Sequence, residues 1–595
     1  VFGLITSHVS SGPSAVDTFA PQACVRRSRN HLVESLGALE PPYCIRSMSG
    51  FGLVDPRLVE TTSCPTNIAC IKYWGKADKK WNTPINSSVS VTLDQDDLRA
   101  ITTVATSKAF TKDRLFLNGE ELSMDDSKNE HANRFKTCVA ALRAKACDRV
   151  DPATGEVLIK AKEWANYKVH VVSMNTFPTA AGLASSAAGY ACLVFALSKL
   201  FCCKESPNDL SVVARQGSGS ACRSLFGGFV RWNKGCAETQ WEDSRAEQVA
   251  TKEDWPDLAT LIMVVNDGKK DTSSTTGMGT SVKTSKLLEY RATLGLVDER
   301  LEQIEAAYKK KDFDTFGQLT MADSNQFHAT CLDTYPPIFY MNDTSKAIVQ
   351  LVHVYNKYFD PEGGGLVKLR AAYTFDAGPN AVIFCRKEHQ LHLLAFLLRY
   401  FPTPTGASAT YSNKPEMLSE GAAMPVEEEL LRMGDATGRV SATNSHTGSG
   451  STKQSLVGDV KMVYCTGVGD GPRVLGADEG LVNLTDGTPK PMPAKPAPVS
   501  RDASASVAAE DESQFKPVWV TSLEKTIKDN HRDMKELIKP TGPSIPSTYQ
   551  MITGVIKFSA LYVAFYGGLG LFEMAFRNFV SRPGRRGGFT RTSTN

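Results

Sequence analysis

The sequence predicts a fold that mixes strands with helices, divided among two to four structural units. Three observations support this. The chain has 595 residues, too many for a single hydrophobic core. Strand-like runs alternate with helical periodicities from Ser63 onward. Hydrophobic residues make up 42% of the chain and charged ones 22%, the balance of an ordinary soluble globular protein.

Residues 1–60 scatter Ser, Gly and Pro among mixed residues and read as an irregular segment. They lack a continuous apolar stretch, so no signal peptide is expected. Strand-like runs follow at Ala69–Trp74, Ser88–Leu93 and Tyr167–Val172. The stretch Leu183–Phe201 is apolar on nearly every side, which predicts a helix buried within a domain. A further strand, Leu258–Val265, precedes a polar loop expected at 266–280. Leu287, Tyr290, Leu294, Val297, Leu301, Ile304 and Tyr308 then alternate spacings of three and four, which puts one apolar stripe on a helix. Gly295 is expected to bend or break it. The stripe is too short for a coiled coil and reads as domain core.

Around 403–455 the chain turns rich in Ser, Thr, Gly and Pro, and surface loops are expected. Residues 485–513, with Pro489, Pro491, Pro493, Pro496 and Pro498, read as a flexible linker. Beyond it come a polar helical piece at 521–538 and an apolar run from Phe558 to Phe572, followed by Arg577, Arg582, Arg585 and Arg586. That run is shorter than the about 20 residues a spanning helix needs, although flanking charges can snorkel to extend it. A membrane anchor over 551–580, a buried or interfacial helix and a misjoined gene all stay open.

The formal net charge of +3 gives no case for nucleic acid as a partner. It is compatible with a small anionic substrate, which a few placed cations can hold. The 14 cysteines show neither a CxxC pair nor Cys/His ligand spacing, which argues against zinc and a disulfide framework and for a reducing compartment, the cytosol.

The strongest local signal is Pro178-Thr179-Ala180-Ala181-Gly182-Leu183-Ala184-Ser185-Ser186-Ala187-Ala188-Gly189, between a strand and the buried helix. Small residues let backbone approach a ligand, and the first N–H groups of a helix lack internal partners. With the helix dipole they suit a phosphate, and the Ser185 and Ser186 hydroxyls add donors. The pattern is neither a Walker loop nor a dinucleotide fingerprint. On the residues alone, a tight helix-packing turn explains it equally well.

This loop, within Asn175–Tyr190, resembles the phosphate-binding motif of the GHMP kinases in the form found in the diphosphomevalonate decarboxylase family. Four more blocks resemble the same family, in the same order. They are Cys64-Pro65-Thr66-Asn67-Ile68-Ala69-Cys70-Ile71-Lys72-Tyr73-Trp74-Gly75-Lys76, Gly217–Gly228, Asp323-Ser324-Asn325-Gln326-Phe327-His328-Ala329-Thr330-Cys331-Leu332-Asp333, and Phe375-Asp376-Ala377-Gly378-Pro379-Asn380-Ala381. The resemblance runs from about 60 to 402, and Gly467–Pro472 extends it toward 492.

The resemblance implies roles residue by residue. Asp376 is similar to the catalytic aspartate beside the substrate's tertiary hydroxyl, as base or as positioning group; on its own, an Asp before Gly-Pro would be a turn former. Arg223 matches the arginine that holds the substrate carboxylate with its planar fork, and Asn67 completes that site. Tyr73, Trp74, Gly75, Lys76 and Arg114 are implied diphosphate-side contacts, with Ser218, Gly219, Ser220, Ala221 and Cys222. Lys72 is expected near the phosphates too. Pro178, Ala180, Gly182, Leu183, Ala184, Ser185 and Ser186 would line the ATP phosphates, with Ser186 and Lys76 close to the chemistry. Ser274 and Thr275 resemble substrate-side contacts. His328 reads as structural.

The implied activity is ATP-dependent decarboxylation of 5-diphosphomevalonate through phosphorylation of its 3-hydroxyl, in the mevalonate pathway. ATP is the implied co-substrate and Mg²⁺ the implied metal, with no protein ligand assignable. The implied fold is α+β: a two-domain GHMP-kinase fold, with an ATP domain at 61–255 containing a left-handed crossover and a ferredoxin-like domain at 256–490. A linker at 491–520 and an extension at 521–595 follow. A homodimer is expected, as in many relatives. Another GHMP small-molecule kinase, or a catalytically silent tail-anchored binding protein, are the rival readings.

Overall fold

In the computed structural model, residues 52–491 are described except for 125–128, 178–184, 267, 269, 362–367, 405–410 and 439–458. The first half is built on a six-stranded sheet in the spatial order Arg473–Val474, Val59–Pro65, Arg99–Ser107, Lys168–Asn175, Arg114–Leu117, Glu120–Leu122. Its central strands are long and β-branched on the buried side, as in Arg99–Ser107, where such side chains fit a pleated surface.

Helix Ser185–Leu200 covers one face of this sheet and buries residues all around its axis, including Ala187, Ala191, Cys192, Leu193 and Leu197. Sequence pattern and structure agree there. Helix Pro207–Gly217 follows, started by Ser206, whose hydroxyl accepts the Asp209 N–H, and by Pro207 in the first turn. It stops at Gly217, where a Cβ would overlap the Tyr190 ring. The next turn, Gly219–Leu225, is a 3₁₀ helix that delivers Arg223.

A four-stranded sheet ordered Ala246–Ala250, Phe229–Trp232, Ser88–Thr92, Asn67–Ile71 leads toward the second half. There, strands Leu258–Val264, Ala371–Phe375, Ala381–Arg386 and Met462–Gly467 form one antiparallel sheet, with Leu258–Val264 and Ala381–Arg386 in the centre. A strand, a helical stretch, two strands, a helix and a last strand, in that chain order, give the ferredoxin-like arrangement. Helices Phe313–Asp333, Asp343–Phe359 and Lys387–Tyr400 pack with this sheet.

Four expectations are corrected. The polar loop at 266–280 ends early, because Ser273 caps a helix at Ser274–Thr284 by accepting the Thr276 N–H. The apolar stripe is broken at Gly295 as expected, left-handed at φ 70°, into helices Lys286–Thr293 and Leu296–Lys310, but its first part is not core. Only the second keeps its stripe inside: Val297, Leu301, Ile304 and Tyr308 are buried, while Leu287, Tyr290 and Leu294 are exposed. The loop expected across 403–455 contains helices Pro415–Ala423 and Glu428–Asp435. The linker expected from 485 begins later, since Thr485 and Gly487 carbonyls accept bonds from Leu53 and His170. The segments 521–538 and 551–580 lie outside the described residues, and among the described residues no helix is long and apolar enough to cross a membrane.

Candidate active site

Two strand ends from the two halves meet at the site. Lys72 follows strand Asn67–Ile71, and Asp376 follows strand Ala371–Phe375. The Lys72 ammonium donates to Asp376 Oδ1 at 2.7 Å. Lys72 is 3% exposed and Asp376 30%, so the pair is anchored in the protein and open on the carboxylate side. Lys72 is expected near the phosphates; in the structure its ammonium is instead committed to Asp376.

Arg223 lies on the other side of Asn67. Its Nε donates to Asn67 Oδ1 at 3.2 Å and to Ser90 Oγ at 3.0 Å, and its Nη1 to Ser88 Oγ at 2.6 Å. Asn67 donates in turn to Ser224 Oγ at 2.7 Å and to the Ser220 carbonyl at 3.1 Å. All the direct partners of this guanidinium among the described residues are neutral, yet it is only 2% exposed. Burial presses its pKa below the ordinary value, because a buried charge without a counter-ion is costly. Asp376 acts on it only through space. The arrangement calls for an anion at the free edge of the fork.

A cationic cavity opens beside the Tyr73–Lys76 segment, lined by Lys76, Lys79, Lys80, Asn133, Arg134 and Gln216, among others. Lys76 is held down to about 8, by burial first and by the Arg134 charge next. Arg134, on helix Glu130–Arg143, donates to Thr275 Oγ1 at 3.2 Å, and so ties the expected contact Thr275 to this cavity. Ser274 begins the same helix as Thr275 but is not drawn into that bond. Tyr73 presents a buried hydroxyl that has no partner among the described residues. That hydroxyl lies 2.8 Å from where a Cβ on Gly219 would sit, so the glycine there is a steric requirement.

Arg114, another expected contact, does not line this cavity. It forms a fork with Glu121 in the strand pair Arg114–Leu117 and Glu120–Leu122, and its guanidinium lies over Phe116. That pair is the sheet edge, and the arginine that lines the cavity, beside three lysines, is Arg134. Sequence pattern gave Arg134 no prominence, since Glu130 four residues earlier makes it look like a surface helix pair. Trp74 is also reassigned. Its indole donates to Ser281 Oγ at 2.9 Å and packs edge-on against Phe327 and Tyr340, so it anchors the core under the site. Gly75 adopts φ 89°, the left-handed turn that brings Lys76 back toward the cavity. Cys222 and Ala221 are fully buried and contribute packing within the turn that carries Arg223.

Ser186 Oγ lies 3.2 Å from Ser218 Oγ, which joins the start of helix Ser185–Leu200 to the Ser218–Arg223 turn. Pro178, Ala180, Gly182, Leu183 and Ala184 lie outside the described residues. Two further groups face Asp376. Lys270 is charge-coupled to it, and burial lowers its pKa. His328 is pushed down to about 4, by burial first and by the Lys72 charge next, while Phe375 accepts its ring proton. Neutral, it leaves Nε2 buried and without a partner among the described residues.

The segment from Asn67 to Lys76 thus contributes to all three features: Asn67 to the buried arginine fork, Lys72 to the ion pair with Asp376 and Lys76 to the cationic cavity. Sequence and structural comparisons locate the same family. Residues 64–246 match the model of a diphosphomevalonate decarboxylase-like N-terminal domain, and 260–475 that of the mevalonate 5-diphosphate decarboxylase C-terminal domain. The chain belongs to the diphosphomevalonate decarboxylase family. The decarboxylase of Ganoderma lucidum is 46% identical over 432 residues, spanning 72% of this chain and 98% of its own length. That of Rattus norvegicus is 50% identical over 345 residues, 58% of this chain and 81% of its own. The mevalonate diphosphate decarboxylase structure from Trypanosoma brucei superimposes with a TM-score of 0.60 at 33% identity, covering 71% of this chain and 100% of that one. This decarboxylase-family match supports the GHMP-kinase fold.

Proposed function

We infer that this chain decarboxylates 5-diphosphomevalonate with ATP, releasing isopentenyl diphosphate, CO₂, ADP and phosphate, in the mevalonate route to isoprenoids. The observation that carries the reading is Arg223, a buried guanidinium with only neutral direct partners, beside the Lys72–Asp376 pair. A substrate carboxylate supplies the missing counter-charge, and the fork orients it.

The substrate lies with its diphosphate toward Lys76, Arg134 and Tyr73 and its carboxylate on Arg223. Its 3-hydroxyl then meets Asp376, which accepts the hydroxyl proton or holds it for transfer while Lys72 keeps the carboxylate in place. The γ-phosphoryl group of ATP moves to that hydroxyl, a step governed by positioning and charge neutralisation. Ser185 and Ser186 face the nucleotide phosphates. Phosphate then leaves carbon 3, the positive charge that develops there draws electrons from the carboxylate, and CO₂ departs. Arg223 keeps the carboxylate aligned through neutral-backed bonds.

Mg²⁺ enters as the companion of the ATP phosphates. Among the described residues no cluster of three acidic, His or Cys side chains could hold it; a bound Mg²⁺ would draw on phosphate oxygens and waters. The deciding assay follows carboxyl-labelled substrate with ATP. Stoichiometric release of labelled CO₂ and ADP is expected; a phosphorylated product that keeps its label would make the chain a simple kinase.

The chain acts in the cytosol as a homodimer. Val282, Leu287, Tyr290, Leu332 and Tyr335 are exposed around the junction where Ser285 and Leu287 bond to Asp333 and Tyr335 bonds to Thr284. Exposed apolar side chains brought together at this junction are what support an interface there. Sedimentation of the purified chain as a monomer would remove this assignment.

A further inference from the structure

The block Asp323–Asp333 stands out in the sequence, and the mechanism above leaves most of it unused. It forms the second half of helix Phe313–Asp333. Asp323 is completely buried, and Arg291 beside it is 2% exposed. Arg291 binds both oxygens of Asp323, at 2.8 and 2.9 Å, and Arg300 adds a third bond at 2.9 Å. Gln326 on the same helix accepts from both arginines.

This cluster closes on the backbone of one residue, Lys72. Asp323 Oδ1 accepts the Lys72 backbone N–H at 2.7 Å, and Arg291 Nη2 donates to the Lys72 carbonyl at 3.0 Å, with Asn86 adding a second bond to that carbonyl at 3.0 Å. Lys72 is therefore gripped on both backbone sides by charged groups, just past the end of its strand. The same helix reaches the other partner. Ser324 Oγ accepts the Phe375 N–H at 3.0 Å, and Asn325 accepts from the Tyr373 hydroxyl at 3.1 Å, in the strand that ends at Asp376.

We propose that Asp323 is a positioning residue for the reaction, acting through the Lys72 backbone to set where the Lys72 ammonium meets Asp376. One helix holds the two strand ends whose side chains form the pair, so their separation is set by a rigid element. Asp323 spends its shortest bond on the residue next to the reacting carboxylate. The inference rests on the proposed function, which makes Lys72 and Asp376 the groups at the reacting hydroxyl.

The test measures labelled CO₂ release and thermal midpoint for the full chain and four variants: Asp323→Asn, Asp323→Asn with Arg300→Met, Lys72→Met, and Lys72→Met with Asp323→Asn. Displacement of a reacting group by about 1 Å costs roughly 10²-fold in rate, so Asp323→Asn is expected to lower kcat about that much and leave the KM for ATP in place. Removing the lone anion also leaves buried arginines uncompensated, which lowers the midpoint. Arg300→Met relieves that charge and raises the midpoint again, while kcat stays low. In the Lys72→Met background, Asp323→Asn lowers kcat no further, because residues acting through one another are non-additive. Recovery of kcat together with the midpoint would overturn the inference, as would losses that multiply in the double variant. Failure of the unsubstituted chain to release label would instead remove the functional reading beneath it.

Discussion

Lys72 Nζ and Asp376 Oδ1 are 2.7 Å apart although 304 positions separate them in the chain. Replacing Asp376 by Asn keeps the shape and removes the acceptor for the hydroxyl proton. Turnover is expected to fall by about 10²–10⁴-fold, the usual worth of a positioned acid–base group. ATP affinity by nucleotide titration is expected to stay unchanged, and a weakened nucleotide with normal maximal rate would contradict the role.

Arg223→Lys tests the fork. A lysine keeps the charge but cannot hold Asn67, Ser88, Ser90 and a carboxylate in one plane. The loss is expected to be about 2–5 kcal/mol in kcat/KM, as for truncation of a buried hydrogen-bonded charge pair. Guanidine added to Arg223→Gly should restore part of the activity.

Arg134 and Arg114 make a matched comparison. Arg134→Gln is expected to raise the KM for the diphosphate substrate about ten- to a hundredfold, since charge-assisted bonds contribute about 1.5–3 kcal/mol. Arg114→Gln breaks an exposed pair with Glu121, worth about 0–1 kcal/mol, and should leave both kinetic constants alone. Reversal of these two outcomes in steady-state kinetics would restore Arg114 to the site.

The contrast between those arginines shows what a sequence can and cannot say. The buried helix, the strand pattern and the Arg223, Asn67 and Asp376 cluster were readable because each lies inside a long contiguous motif or a strong periodicity. Arg134 was not, since nothing local distinguishes a helix arginine that looks into a cavity from one that looks into water. The partner of Lys72 was hidden for a related reason: an ion pair across 304 positions leaves no trace in spacing. The outer half of the apolar stripe misled because three-and-four spacing reports a face without saying what covers it. Leu287, Tyr290 and Leu294 have such a face and turn it outward.

Lys76 gives a pH dependence with a definite sign. Burial and Arg134 hold it down to about 8 from an ordinary 10.5. A diphosphate binds the protonated ammonium, so affinity should weaken as pH rises through about 8. The cost to stability of the buried charge is full below about 8 and fades as pH approaches 10.5, where the unfolded lysine also loses its proton. Calorimetry in two buffers of different ionisation heat should record proton uptake on substrate binding near pH 8, and a pH-independent affinity between 7 and 9 would exclude Lys76 from the contact.

Gly219→Ala probes the steric requirement under Tyr73. The new Cβ would stand 2.8 Å from the Tyr73 hydroxyl and 2.9 Å from its ring, closer than atoms tolerate. Overpacking of this kind costs about 1–3 kcal/mol, read as a lower thermal midpoint, and the displaced phenol should raise the substrate KM. An unchanged KM would mean that Tyr73 does not touch the substrate.

Strand Met462–Gly467 belongs to the second sheet and Arg473–Val474 to the first. Between them, Gly469 exchanges backbone bonds with Thr92 and Gly228, and a Cβ on it would collide with Leu93. So short a tether, stitched on both sides, leaves the halves little room to swing apart like jaws.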